Sequence, residues 1–107
     1  MMARAKKILT LPAPEAVTVG GHTYAIKVDA ALTVAQSKDG CCDPLTETIA
    51  INPHLPASFK TSTLVHELME AINMTYMAES MCHDDITRLG EAFAAALADL
   101  GIEIDWG

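Results

Sequence analysis

Between Thr63 and Asn73 the chain reads Thr-Leu-Val-His-Glu-Leu-Met-Glu-Ala-Ile-Asn, which sets one histidine and two carboxylates in an otherwise apolar run. A helix advances about 100° per residue, so His66 and Glu70 point within roughly 40° of each other, one turn apart. Two side chains so placed can grip one metal ion. Glu67 projects off that line, where a carboxylate can take a proton from water beside the metal, as in the His-Glu-x-x-His zinc helix. Here Glu70 replaces the second histidine of that pattern. Zinc accepts carboxylate oxygen at about 2.0–2.2 Å as well as imidazole nitrogen. Standing alone, His-Glu-x-x-Glu is also what an acidic, solvated helix face looks like.

A catalytic zinc normally takes three protein ligands and keeps one position open. Two residues are candidates for the third place, His83 and Glu91. His83 starts a second helix, and the loop from Ala78 to Cys82 can bring it back toward Glu70. Glu91 is favoured by its height in an antiparallel helix pair and disfavoured by direction, because it lies two residues from the apolar Phe93 and so points roughly 200° away from it. His83 is preferred and Glu91 stays open. His22 and His54, isolated in a strand and a loop, read as structural or surface residues.

The elements that must position these groups are two helices and a small sheet. Lys7 to Leu11 is a short extended segment stopped by Pro12 and Pro14. Val17 to Val19, Gly20-Gly21 and the alternating His22 to Val28 form a hairpin with Tyr24, Ile26 and Val28 inward. Ala30 to Ala35 is a strand continuation or a connector. Lys38-Asp39-Gly40 and Asp43-Pro44 mark turns. Thr46 to Asn52 is β-branched and alternating, a strand closed by Pro53.

A loop from His54 to Lys60 leads to a helix capped by Thr61, Ser62 or Thr63. Its apolar stripe is Leu64, Val65, Leu68, Ala71, Ile72 and Tyr76. His66, Glu70, Asn73 and Met77 lie opposite, and Met74 and Met77 on that side suggest a cover. The second helix opens with Asp84 and Asp85, runs to about Leu100 and stops at Gly101, with a seam of Ile86, Leu89, Phe93, Leu97 and Leu100. Ile102 to Trp106 alternates again, as a short strand or an apolar clasp.

The chain has 107 residues, 50% of them hydrophobic, which suits a single domain over 1–107 with a modest aliphatic core. Residues 1–60 are mainly β, 61–100 hold the two helices and 101–107 form a tail. The expected fold is α+β, a small antiparallel sheet of about three strands packed on the two C-terminal helices.

The net charge is −7, and from Thr61 onward nine acids face only Arg88. That balance argues against nucleic acid as a partner. Arg4, Lys6 and Lys7 are too sparse for a polybasic membrane anchor, no run reaches transmembrane length, and Ile8 to Leu11 is too short for a signal peptide's apolar region. Cys41, Cys42 and Cys82 lack the spacing of a disulfide framework, which points to a reducing cytoplasm.

The order of strand, turn, Thr-x-x-Ile-x-Ile strand and the Thr63–Asn73 helix resembles short phage and prophage proteins related to zincin-like metallopeptidases. The resemblance covers roughly Gly40 to Leu97. Within it, Arg88 to Leu97 is similar to the third-ligand helix of ImmA/IrrE-type peptidases, which implies Glu91 in that role. The resemblance implies Zn²⁺ held by His66, Glu70 and a third ligand, with Glu67 as general base while water attacks a peptide carbonyl. A carboxylate ligand lowers the metal's effective charge, so slow or specialised hydrolysis is expected. Partners are then protein or peptide substrates, in a bacterial or phage-infected cytoplasm. The alternative function is a non-catalytic phage component, in the virion or the host cell, that uses a degenerate zincin scaffold to bind another protein.

Overall fold

The computed structural model describes residues 7–33 and 36–107. Its elements in chain order are β1 (Leu9–Pro12), β2 (Ala16–Val19), β3 (His22–Val28), α1 (Ala30–Thr33), β4 (Gly40–Asp43), β5 (Thr48–Ile51), α2 (Ala57–Tyr76), α3 (His83–Asp99) and β6 (Ile102–Asp105). The class is α+β, as expected.

The hairpin of β2 and β3 turns at Gly20 and Gly21, whose φ values of 58° and 87° are the paired left-handed conformations of a tight two-residue turn. A side chain on Gly20 would also collide with Thr75 of α2.

The main sheet has four strands in the order β2-β3-β5-β4 and is mixed rather than wholly antiparallel. β3 and β5 run parallel, with Ile26 opposite Ile49 and Val28 opposite Ile51, while β4 pairs antiparallel to β5. The cause is the connection after β3. Asp29 caps one helical turn by accepting a hydrogen bond from the Ala31 N–H at 2.8 Å, so Ala30–Thr33 is helix, with residues 34 and 35 of the expected segment outside the described part. That turn carries the chain over the sheet and delivers β4 to the far edge. β5 is thereby central, and Ile49, Ala50 and Ile51 are fully buried. Arg4 and Lys6 also lie outside the described residues.

β1 and β6 form a separate parallel pair, Leu9 opposite Ile102 and Leu11 opposite Ile104. The tail is therefore both a strand and a clasp, because Trp106 donates its indole N–H to Thr61 Oγ1 at 3.0 Å and packs on the core.

Three expectations about the helices need correction. In α2, Ile72 and Tyr76 of the expected apolar stripe are exposed, and Glu67 is buried with Leu64 and Ala71. α2 begins at Ala57, just after Pro56, not at Thr61–Thr63. Thr61 and Ser62 donate their hydroxyls to the Ala57 and Phe59 carbonyls of the preceding turn, so they continue the helix instead of capping it. In α3 the seam is rotated. Ile86 and Gly90 are buried, whereas Leu89, Phe93 and Leu100 are exposed. A methyl group on Gly90 would lie 3.4 Å from His66 Cα, so the helices approach through the residue without a side chain.

Candidate metal centre

α2 packs Leu64 and Ala71 on the sheet, and Glu67 stands on that same stripe, three residues after Leu64 and four before Ala71. Packing of the apolar neighbours therefore drags a carboxylate under the sheet's edge. β4 closes over it. A Cβ on Gly40 would fall against the side chains of Thr63 and Glu67 and 3.0 Å from the Ala50 carbonyl, so glycine lets the strand sit this close.

Glu67 is 7% exposed, and no hydrogen bond reaches it among the described residues. His66 Nε2 lies 3.9 Å from its Oε1, beyond hydrogen-bond distance. Burial first, and the Glu70 charge second, push its carboxyl up to about 7, against a smaller pull from His83 and Lys38. A group poised there can accept and return a proton near neutrality.

His66, Glu70 and His83 each bring one ligand atom to a common point, all within 4.8 Å of one another. Glu70 Oε1 lies 3.9 Å from His66 Nε2 and 3.5 Å from His83 Nδ1. A tetrahedral zinc with ligands at 2.0–2.2 Å needs separations of about 3.4 Å, so small rotamer changes suffice. Glu70 Oε1 is shut off from solvent without a hydrogen bond, although the rest of its carboxylate stays partly open. Such an orphan oxygen is what a cation would satisfy. Burial lowers the His66 pKa despite the opposing charges of Glu70 and Glu91, and neutral imidazole is the ligand form. The donor set of two imidazoles and one carboxylate thus fits zinc in number and type.

Asn73 of α2 delivers His83 to the cluster. Asn73, expected on the open face, is buried. Its amide N–H₂ donates to the Met81 carbonyl and its amide oxygen accepts from the Met81 N–H, both at 3.0 Å, which fixes the loop two residues before His83. The only hint in the sequence is spacing: Asn73 lies seven residues after His66, on the side that faces α3. Asn73→Ala is expected to cost on the order of 1–3 kcal/mol, since two part-buried backbone groups of Met81 lose their partner. It should also weaken zinc binding by about tenfold, as does loss of an outer support for a ligand. Denaturant melts and a competitive zinc titration read the two effects.

Glu91 lines the same groove but stands outside the three-residue group, and its side of α3 is exposed. Phe93 is exposed and does not mark the seam, so its direction does not turn Glu91 away from the site, and the Glu91 charge is felt at His66. His54 is exposed, and His22 lies 4.0 Å from Glu47, both away from the cluster. The three cysteines are free, and Cys42, half-buried beside Glu67, has its thiol pushed up to about 12 by burial and then by the Glu67 and Glu70 charges. It stays protonated at neutral pH.

The cluster opens into a groove of about 1230 Å³ between β4, α2, α3 and β6. No described helix is long and apolar enough to cross a membrane. Compared with known proteins, the chain matches no family model, no curated protein and no solved structure, so the site is read from its own geometry.

Proposed function

We propose that this protein is a small zinc-dependent hydrolase acting on peptide bonds, with His66, Glu70 and His83 as metal ligands and Glu67 as general base. The observation that carries the reading is Glu67 itself, a buried carboxyl without a hydrogen-bond partner, adjacent in sequence and space to a three-ligand cluster. A solvated helix-face acid would not be buried there, because burial of an unpaired carboxylate is costly and persists where function requires it.

Zinc bound by the three residues would supply a Lewis acid that polarises a carbonyl and acidifies water. Glu67 then takes the proton of the attacking water on its carboxylate and returns it to the departing amine nitrogen, so that amide and water become acid and amine. Glu70 adds negative charge to the ligand set and so favours metal retention over electrophilic strength. His66 and His83 bind as neutral imidazoles, and Asn73 holds the loop that presents His83. A reducing compartment suits the three unpaired thiols.

A second reading has its own support. Ile72, Tyr76, Leu89 and Phe93 leave large apolar side chains exposed on the two helices, as a docking partner would require. In that case the metal is structural and the protein acts by binding.

The test is to purify the full chain, measure its metal by elemental analysis and incubate it with a mixed peptide pool before and after chelation. Zinc near one per chain, with new peptide termini that vanish on chelation and return with zinc, is expected. Bound zinc with an uncut pool favours the binding role. No zinc uptake removes the enzyme reading.

A further inference from the structure

The groove extends well beyond the cluster. Its far half is one face of α3 followed by β6: Glu91, Ala94, Ala95 and Ala98 recur at i, i+3, i+4 and i+7, and Ile102 and Glu103 continue from the strand. The alanines form an apolar floor and leave space that larger side chains would fill. Five carboxylates line the whole groove, Asp39, Glu67, Glu70, Glu91 and Glu103, against one lysine, Lys38. Lys38 belongs to the β4 side, so the far half carries only negative charge. Neither Glu91 nor Glu103 has an ion-pair partner among the described residues.

One group at the near end points to an occupant besides the metal. The Glu67 side chain is nine-tenths buried, lines the groove and has no hydrogen bond. β4, the outermost strand of its sheet, also lines that end, so main-chain N–H and C=O groups of a bound polypeptide can find partners there. The floor wants apolar contact and the walls want positive charge. Lysine and arginine meet both demands, because their aliphatic stems lie on apolar surface while the charged head reaches a carboxylate.

We propose that the groove selects an extended cationic peptide, with an apolar side chain over Ala94, Ala95 and Ala98 and a lysine or arginine beside Glu91 and Glu103. The choice of a peptide rests on the hydrolase reading above; the charge and apolar preference rests on the far half of the groove. Attraction of this kind acts on encounter and on selection among partners more than on total affinity.

The experiment uses the full chain carrying Glu67→Gln, loaded with zinc, so that bound peptide survives. Two dye-labelled short peptides share their apolar residues and differ in having lysines or glutamates at the same positions, and anisotropy gives their affinities. The lysine peptide is expected to bind about tenfold more tightly, with a margin that shrinks as salt rises. Adding Glu91→Gln and Glu103→Gln, both exposed and so harmless to folding, should erase most of the preference; circular dichroism confirms the fold. Equal affinities, or no binding of either peptide, overturn the proposal. A lysine peptide that binds but is not cut by the zinc-loaded wild type leaves the selectivity standing and sinks the hydrolase reading. Equal cutting of both peptides does the reverse.

Discussion

Glu67→Gln is expected to lower peptide hydrolysis by about 10²–10⁴-fold while zinc remains near one per chain, because the amide keeps the shape of the carboxyl but cannot accept the proton. Zinc content and turnover, measured on the same preparation, separate a lost base from a lost metal. Retained turnover at wild-type rate would remove Glu67 from the chemistry. Simultaneous loss of zinc would make it a ligand or a support.

The same substitution has a signature without substrate. In the metal-free protein the Glu67 carboxyl is pushed up to about 7 from the ordinary 4.5. Between these values the folded chain holds a proton that the unfolded chain has released, so stability falls as pH rises and levels off above the folded value. The full loss is on the order of 3 kcal/mol for one buried group shifted this far. His66 acts in the opposite sense. Its pKa is lowered from 6.5, so near and below that pH the unfolded chain binds a proton that the folded chain refuses, and stability rises with pH. Glu67→Gln removes the first effect and leaves the second. The variant should therefore gain on the wild type steadily from about pH 4.5 to pH 8 in chelator-containing denaturant melts. A constant difference across that range would mean that Glu67 is not buried as a lone carboxyl. Zinc beside Glu67 favours its ionised form, so the slope should flatten in the loaded protein.

Much of this arrangement was legible in the sequence, and what was not has identifiable causes. His66, Glu67 and Glu70 stand out by spacing alone, and the Gly20-Gly21 hairpin and the β-branched run at 48–51 announce themselves because local chemistry sets them. The parallel pairing of β3 with β5 was hidden, since it depends on a single turn of helix and on β4, a four-residue strand bounded by Gly40 and Asp43, residue types that strands disfavour. The α3 seam was misread for a related reason. Helical spacing finds an apolar stripe through Leu89 and Phe93, but close approach at Gly90 turns the helix so that this stripe faces outward. A glycine contributes nothing to a hydrophobic pattern, though it decides how two helices meet. Glu67 shows the converse. Its place three residues after Leu64 and four before Ala71 is a core position by period, and only its charge argued for the surface. A carboxylate on a buried stripe was the sharper signal, and it was available from the sequence.

The remaining large effect concerns the metal's contribution to folding. Zinc at about 100 times its dissociation constant should stabilise the wild type by about 2.7 kcal/mol, or on the order of 10 °C for a domain of this size. The double variant His66→Ala, Glu70→Ala should show no shift, because two of the three donors are gone. Without metal the comparison runs differently. His66 packs its ring edge-to-face on His83 of α3, centroids 5.1 Å apart, and removing it costs that contact, while Glu70 keeps an oxygen sealed from water without a hydrogen bond, so its removal deletes a destabilising group and offsets the loss. In chelator the double variant should melt close to the wild type. This pairing separates a site kept for binding from residues kept for structure, since structural residues lower stability when removed whether or not zinc is present. A variant that melts well below the wild type in chelator would assign His66 and Glu70 to the core. A wild type indifferent to zinc would leave a cluster with the spacing of a metal site and none of its chemistry.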